Sequence, residues 1–315
     1  MLPQTALQPR RDNRSRPSLQ SIKLMIQYLY LGRIAYPDAL RLQEDLVEMR
    51  RDNRIPNVLL LLEHPPVLTL GRHANRANVL ASDQLLAARG VTLHNISRGG
   101  DVTYHGPGQL VGYPIFDLRS LPSPSGGRMG PVDFVRQLEE ALIRLCAVYG
   151  VRAGRIPGLT GVWCHVSPGE NSHPSIPPSK IGAIGIHVSR GITSHGFAFN
   201  VTTDLSGFQL INPCGITDKP VTTLAREVHN LPDSDPVALP SLDHIAHEAA
   251  TQFAHVFHQP MELVESIAAL RASVNEPSPA PEPSTQRPED TTEPPLQVPK
   301  EVERLANQPH RPVRT

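Results

Sequence analysis

Five aliphatic residues in a row, Val58 to Leu62, closed by His64-Pro65-Pro66, narrow what this chain can fold into. A run so short and without a polar face reads as a buried strand, so the fold must contain a sheet with cover on it. Further short strands are expected at Ile26 to Leu31, Val67 to Leu70, Val91 to Leu93, Gly161 to Val166, Lys180 to Val188 and His195 to Val201. Helical spacing of apolar residues predicts helices over Tyr36 to Asp52, Ser82 to Arg89, Val132 to Tyr149, Thr222 to Glu227 and Pro240 to His258. Strands outnumber helices between Gln27 and Val201. The expected class is therefore α/β of the α+β type, a mixed sheet with flanking helices and not a doubly wound parallel sheet.

Two local features sharpen this. In Val132 to Tyr149 the residues Phe134, Leu138, Ala141, Leu142, Leu145 and Val148 share one face, Cys146 lies beside it as a small core residue, and Gly150 supplies the stop. From Lys180 the strand alternation slips: Ile181 and Ala183 are in one phase, Ile184, Ile186 and Val188 in the other. A bulge near Gly182 or Gly185, or burial on both faces, accounts for the slip.

With 39% hydrophobic residues and a formal net charge of zero, the chain has no field of one sign to draw nucleic acid or an anionic membrane. No apolar run nears the about 20 residues that span a bilayer. Three scattered cysteines, Cys146, Cys164 and Cys214, fit a reducing compartment better than a disulfide framework, and no spacing suggests a zinc site. Residues 1–24, with Arg10, Arg11, Arg14 and Arg16 against the single acid Asp12, read as a disordered leader; a mitochondrial presequence is the alternative, weakened by Pro17 and the lack of an amphipathic face. Residues 274–315 hold ten prolines and no aromatic residue, the composition of a disordered tail. That leaves 25–273 as the folded domain. A cytoplasmic protein is preferred to a mitochondrial one on the weakness of the leader.

Chemistry is suggested in several places. The stretch Arg98-Gly-Gly-Asp-Val-Thr-Tyr-His-Gly-Pro-Gly-Gln109 reads as a loop whose four glycines let the backbone approach a ligand; an ordinary surface turn is the alternative. Cys214 sits in Asn212-Pro-Cys-Gly215, where a thiolate near a cation would be a nucleophile, or where the thiol is an inert part of a turn. Lys180 opens the small-residue strand Lys180-Ile-Gly-Ala-Ile-Gly185, placed to act as a base or to stabilise a thiolate, or simply to point at water. His105 and His195 each precede glycine; both a ligand role and a histidine satisfied within the fold are open. His244 with His247, and His255 with His258, have metal-like spacing but no companion ligands, and read as a polar helix face.

Taken in order, Glu63-His-Pro-Pro66 with Thr69-Leu-Gly71, then Arg98 to Gln109, Lys180 to Gly185, Ser194-His-Gly-Phe-Ala-Phe-Asn200 and Asn212 to Gly215 resemble the motif set of the lipoyl(octanoyl) transferases. The likeness covers about Ile26 to Ser273. It implies a fold like that of the biotin and lipoate protein ligase catalytic domains. It also implies passage of an octanoyl group from octanoyl-acyl carrier protein to a lysine amine on lipoyl domains, those of 2-oxoacid dehydrogenases and the glycine cleavage H protein. By the same resemblance Cys214 is the acyl-thioester nucleophile, and Lys180 lowers its pKa and moves protons. The acyl pocket maps onto Arg98, Gly99, Gly100, Asp101, Val102, Thr103, Tyr104 and His105, then Ala183, Ile184 and Gly185, then Gly196, Phe197 and Ala198. No cofactor, ATP or metal is expected, because a thioester is already activated. The sequence departs from the family pattern in the Pro/Ser excursion Ser167 to Ser179, in Gly182 where alanine is expected, and in both tails. The rivals are an ATP-dependent lipoate or biotin ligase on the same scaffold, and a non-catalytic module that holds an acylated carrier protein.

Overall fold

In this computed structural model, residues 25–124, 126–166, 176–212, 219–231 and 238–272 are described. They fall within one compact unit, Met1–Glu276. The leader and tail readings, residues 167–175 of the excursion and Cys214 itself lie outside the described residues.

The strands are β1 (Ile26–Arg33), β2 (Asn57–Glu63), β3 (Val67–Leu70), β4 (Thr92–Asn95), β5 (Val102–His105), β6 (Gln109–Ile115), β7 (Ala153–Ile156), β8 (Leu159–Cys164), β9 (Ser179–Ser189), β10 (Ile192–Asn200) and β11 (Met261–Leu263). The helices are α1 (Tyr36–Arg51), α2 (Asp83–Ala88), α3 (Pro131–Val148), α4 (Leu224–His229), α5 (Leu242–Phe257) and α6 (Ile267–Ala272). Eight strands form one mixed sheet in the order β11-β1-β2-β6-β10-β9-β8-β7, and β4-β3-β5 form a second, three-stranded sheet.

The aliphatic run explains the layering. β2 lies inside the large sheet, parallel to β1 and antiparallel to β6. Its side chains alternate between two cores: Leu59 and Leu61 pack with Phe134, Leu138 and Phe253 of α3 and α5, whereas Val58, Leu60 and Leu62 pack with Ala39, Leu46 and Met49 of α1. Both faces of the strand are covered, which is why its central run, Val58 to Leu62, carries no polar residue. At about 1.5–3 kcal/mol per fully buried aliphatic side chain, this strand alone is a large part of the drive to fold.

Most expected elements are found within a few residues of the positions read from the sequence. The α3 face is buried from Phe134 to Cys146, but Val148 at its end is 48% exposed. The strand slip resolves as a bulge: Val162 pairs with Gly182 and Trp163 with Lys180, which leaves Ile181 as the extra residue. One reading needs correcting. The stretch Arg98 to Gln109 is not a loop throughout, since Val102–His105 pairs antiparallel with β3. β6, β7, β11 and α6 are not among the expected elements; β7, β11 and α6 are short, and β11 is three residues of Met-Glu-Leu held by register with β1.

Candidate active site

A cavity of about 500 Å³ opens among the two sheets and α1. The glycine-rich stretch and β5 contribute Arg98, Gly99, Gly100, Thr103 and His105 to its lining. β9 contributes Lys180 and Ala183 to Ile186, and β10 contributes His195 to Ala198. Tyr36, Val111 and Tyr113 complete its inner surface, with Gly158 to Thr160 beside Lys180 in the lining.

The Arg98–Gly100 segment is docked onto β9 by its backbone: Gly99 N–H donates to Ile186 O at 3.0 Å. This close approach requires glycine at 185, where a Cβ would lie 2.9 Å from Gly99 O. Gly99 N–H is thus engaged in the fold. Arg98 is a brace as well as a lining residue, donating to Thr69 O at 2.7 Å, Thr69 Oγ1 at 3.0 Å and Gly99 O at 2.9 Å.

β5 sorts its residues by parity. Thr103 and His105 line the cavity, while Val102 and Tyr104 point into the apolar cluster under the small sheet with Leu68, Leu86 and Leu210. Asp101 also lies outside the lining. Its carboxylate accepts from Asn75 N–H at 3.1 Å and from the Asn78 side-chain amide, and Asn78 O in turn accepts from Asn212 N–H at 2.7 Å. Asp101 therefore ties the glycine-rich stretch to the residue that precedes the Pro213-Cys214 pair.

The cavity's histidines are held neutral. Burial pushes His64 down to about 4 and His105 down to about 3, the latter helped by the neighbouring His64 ring; burial and then Arg98 push His195 down to about 4. Hydrogen bonds fix the tautomers. His64 Nδ1 donates to Ile34 O at 2.7 Å, so its Nε2 accepts from the Tyr113 hydroxyl at 2.8 Å. Gln109 uses its Nε2 to donate to Asn200 Oδ1 and Tyr104 O, so its Oε1 accepts from His105 Nδ1 at 2.7 Å. His195, in left-handed backbone at φ 55, is fixed by Gln43 Oε1 on its N–H at 2.9 Å and by Ser97 Oγ on Nε2 at 3.2 Å. Burial likewise raises Tyr36 to about 12 and Tyr113 well above the ordinary phenol value. Apolar chains meet here a wall of uncharged rings, with Tyr36 stacked on His105 at 6.4 Å between centroids. Both histidines weighed from the sequence are satisfied within the fold and line the cavity as well.

Tyr36 and Tyr113 are site residues that the sequence reading does not name; His64 stands behind the lining, hydrogen-bonded to Tyr113. The parity of β6 holds a signal, since Val111 and Tyr113 share the face opposite Leu110.

Lys180 ends the cavity lining at the start of β9, with its Nζ 4.6 Å from the centroid of the Trp163 ring. Its backbone N–H donates to Pro220 O at 2.8 Å, and its carbonyl accepts from Thr222 N–H at 2.9 Å. The chain segment that carries Cys214 is thus anchored on both sides, by Asn212 on Asn78 and by Pro220 and Thr222 on Lys180. Cys146 and Cys164 are buried thiols: burial pushes Cys146 well up, and burial followed by Glu227 pushes Cys164 up to about 12. His244 and His247 pair with Glu248 and Asp243 on the surface of α5, and among the described residues no group of three or more His, Cys, Asp or Glu could hold a metal. No helix among the described residues is long and apolar enough to cross a membrane.

The architecture is that of the lipoylating enzymes. The chain of the bipartite lipoate protein ligase of Thermoplasma acidophilum, solved in work on its lipoylation system with an E2 lipoyl domain, superposes with a TM-score of 0.56 at 17% identity, over 79% of this chain and 90% of that one. Lipoate-protein ligase A bound with ATP gives 0.54 at 16% identity, over 79% and 92%. Residues 35–245 match the family model for the lipoyl protein ligase A/B catalytic domain. The octanoyltransferase of Acidobacterium capsulatum is 55% identical over 79% of this chain and 100% of its own length. That of Solibacter usitatus is 48% identical over 76% and 96%. The chain belongs to the lipoyl protein ligase A/B family, among its octanoyltransferases.

Proposed function

We propose that the protein transfers an octanoyl group from octanoyl-acyl carrier protein to a lysine amine on lipoyl domains, through a thioester on Cys214. The acceptors on this reading are the lipoyl domains of 2-oxoacid dehydrogenases and the glycine cleavage H protein, and the setting is the cytoplasm. The observation that carries it is the pairing of Lys180 with Pro220 and Thr222, on the segment that follows Cys214, beside a cavity walled largely by neutral rings and apolar residues.

The Cys214 thiolate attacks the octanoyl carbonyl, the C–S bond to the carrier breaks, and the carrier thiol leaves with a proton from the Lys180 ammonium. The lysine amine of the acceptor then attacks the Cys214 thioester. An amide bond forms, Cys214 leaves as thiolate, and the amine's proton passes to Lys180. Seven carbons beyond the carbonyl, at about 0.8 kcal/mol for each buried methylene, give about 6 kcal/mol to hold the acyl chain in the cavity. Residues 25–273 serve as the catalytic domain.

The test is mass spectrometry after mixing with octanoyl-acyl carrier protein. An octanoyl adduct on Cys214, absent in Cys214→Ser, is expected, with transfer in the absence of ATP and with residues beyond Ser273 deleted. Transfer that persists in Cys214→Ser, or that requires ATP, would return the ligase reading. Lys180→Arg keeps the charge but releases its proton far less readily, so acylation at neutral pH should slow.

A further inference from the structure

We propose that Trp163 is the seat of the Lys180 ammonium, a positioning residue for acyl transfer. The inference rests on Lys180 being the proton-moving group. Trp163 and Lys180 are direct partners across β8 and β9, so their side chains share one face of the sheet. They do so only because of the bulge at Ile181. The ammonium stands 4.6 Å from the ring centroid, within the range where a cation is drawn to the face of an indole. Trp163 is 1% exposed, so water competes little for that face.

Two features favour a seat over simple packing. Among the described residues the buried Trp163 Nε1 has no hydrogen-bond partner. Phenylalanine would fill much of the space without burying an unpaired donor; what indole adds is the stronger cation-binding face. Next to it, Gly161 adopts φ +123, and a Cβ there would meet Gly182 O at 2.6 Å and Lys180 Cε at 3.4 Å. The position is held by Glu139, fully buried, which accepts from Gly161 N–H at 3.0 Å and from Arg155 Nε at 3.0 Å. The glycine thus leaves a bare flank along which the lysine stem reaches the indole. A lysine stem has four rotatable bonds, and a fixed seat removes the search before each proton transfer.

The sequence contains one tryptophan, so intrinsic fluorescence reads this seat directly. Lys180→Met in the full chain is expected to change the emission of Trp163 with the melting temperature preserved. In steady-state octanoyl transfer, Trp163→Leu should lower kcat about tenfold at unchanged KM for the donor, and Trp163→Phe should recover it to within about threefold, because a phenyl face still holds a cation. Unchanged emission in Lys180→Met overturns the proposal even where Trp163→Leu does not fold, and so do equal kcat values in Trp163→Leu and Trp163→Phe. Failure of the underlying reading shows separately, as the absence of an octanoyl adduct on Cys214 in the unaltered protein.

Discussion

Asn200 joins the cavity wall to the segment that returns beside Lys180: its Nδ2 donates to Thr222 O at 3.0 Å while its Oδ1 accepts from Gln109 at 2.9 Å. Gln109 in turn holds His105, so one buried amide links the acyl cavity to the segment following Cys214.

Removing that amide leaves the Thr222 carbonyl and one Gln109 N–H unpaired, together costing about 2–6 kcal/mol. Asn200→Ala is expected to lower the unfolding free energy by about that amount in a denaturant titration. It should also reduce kcat more than a control such as Ser206→Ala at the exposed turn. Full stability with full turnover would show that the link does nothing.

Asp101 makes a second tie, through Asn78 to Asn212. Asp101→Ala removes an acceptor of two donors, while Asp101→Asn keeps one oxygen to accept. Alkylation of Cys214 by iodoacetamide should respond more to the alanine variant than to the asparagine one. Identical alkylation rates in both variants and the parent would confine Asp101 to the small sheet.

The three neutral histidines predict acid sensitivity. Their folded pKa values lie below the ordinary 6.5, at about 4 for His64 and His195 and about 3 for His105. The unfolded chain therefore binds more protons once the pH drops under about 6.5. Their contribution is complete above that value and is lost as pH falls toward about 4, at about 2 kcal/mol per ring by pH 5. Melting temperature measured from pH 8 to 4 should decline across this window before the carboxylates titrate; a flat profile down to pH 5 would contradict the neutral wall.

The sequence revealed those parts of the fold that carry a period. The β2 run, the α3 face and the slipped β9 alternation were legible because burial writes itself into spacing. β5 was read as loop because four residues flanked by glycines carry too little period, although Thr103 and His105 against Val102 and Tyr104 do alternate. The ring cluster is invisible for a different reason: Tyr36, His64, His105 and Tyr113 come from α1, the turn after β2, β5 and β6, and meet only through tertiary packing. Asp101 carried a functional expectation from its place in a motif, and the structure gives it a hydrogen-bonding job beside the cavity.

The bulge at Ile181 makes the placement of Lys180 a question of odd and even. Ile181 and Gly182 both turn toward the helices, where Ile181 packs with the α3 and α5 core and Gly182 lies against Leu142 and Phe199. In an unbroken strand, with Gly182 kept on its side, position 180 would fall on that side too and drive an ammonium into hydrocarbon. One supernumerary residue reverses the count: were Ile181 paired with Trp163 in regular register, the sheet would stand and its chemistry would be lost.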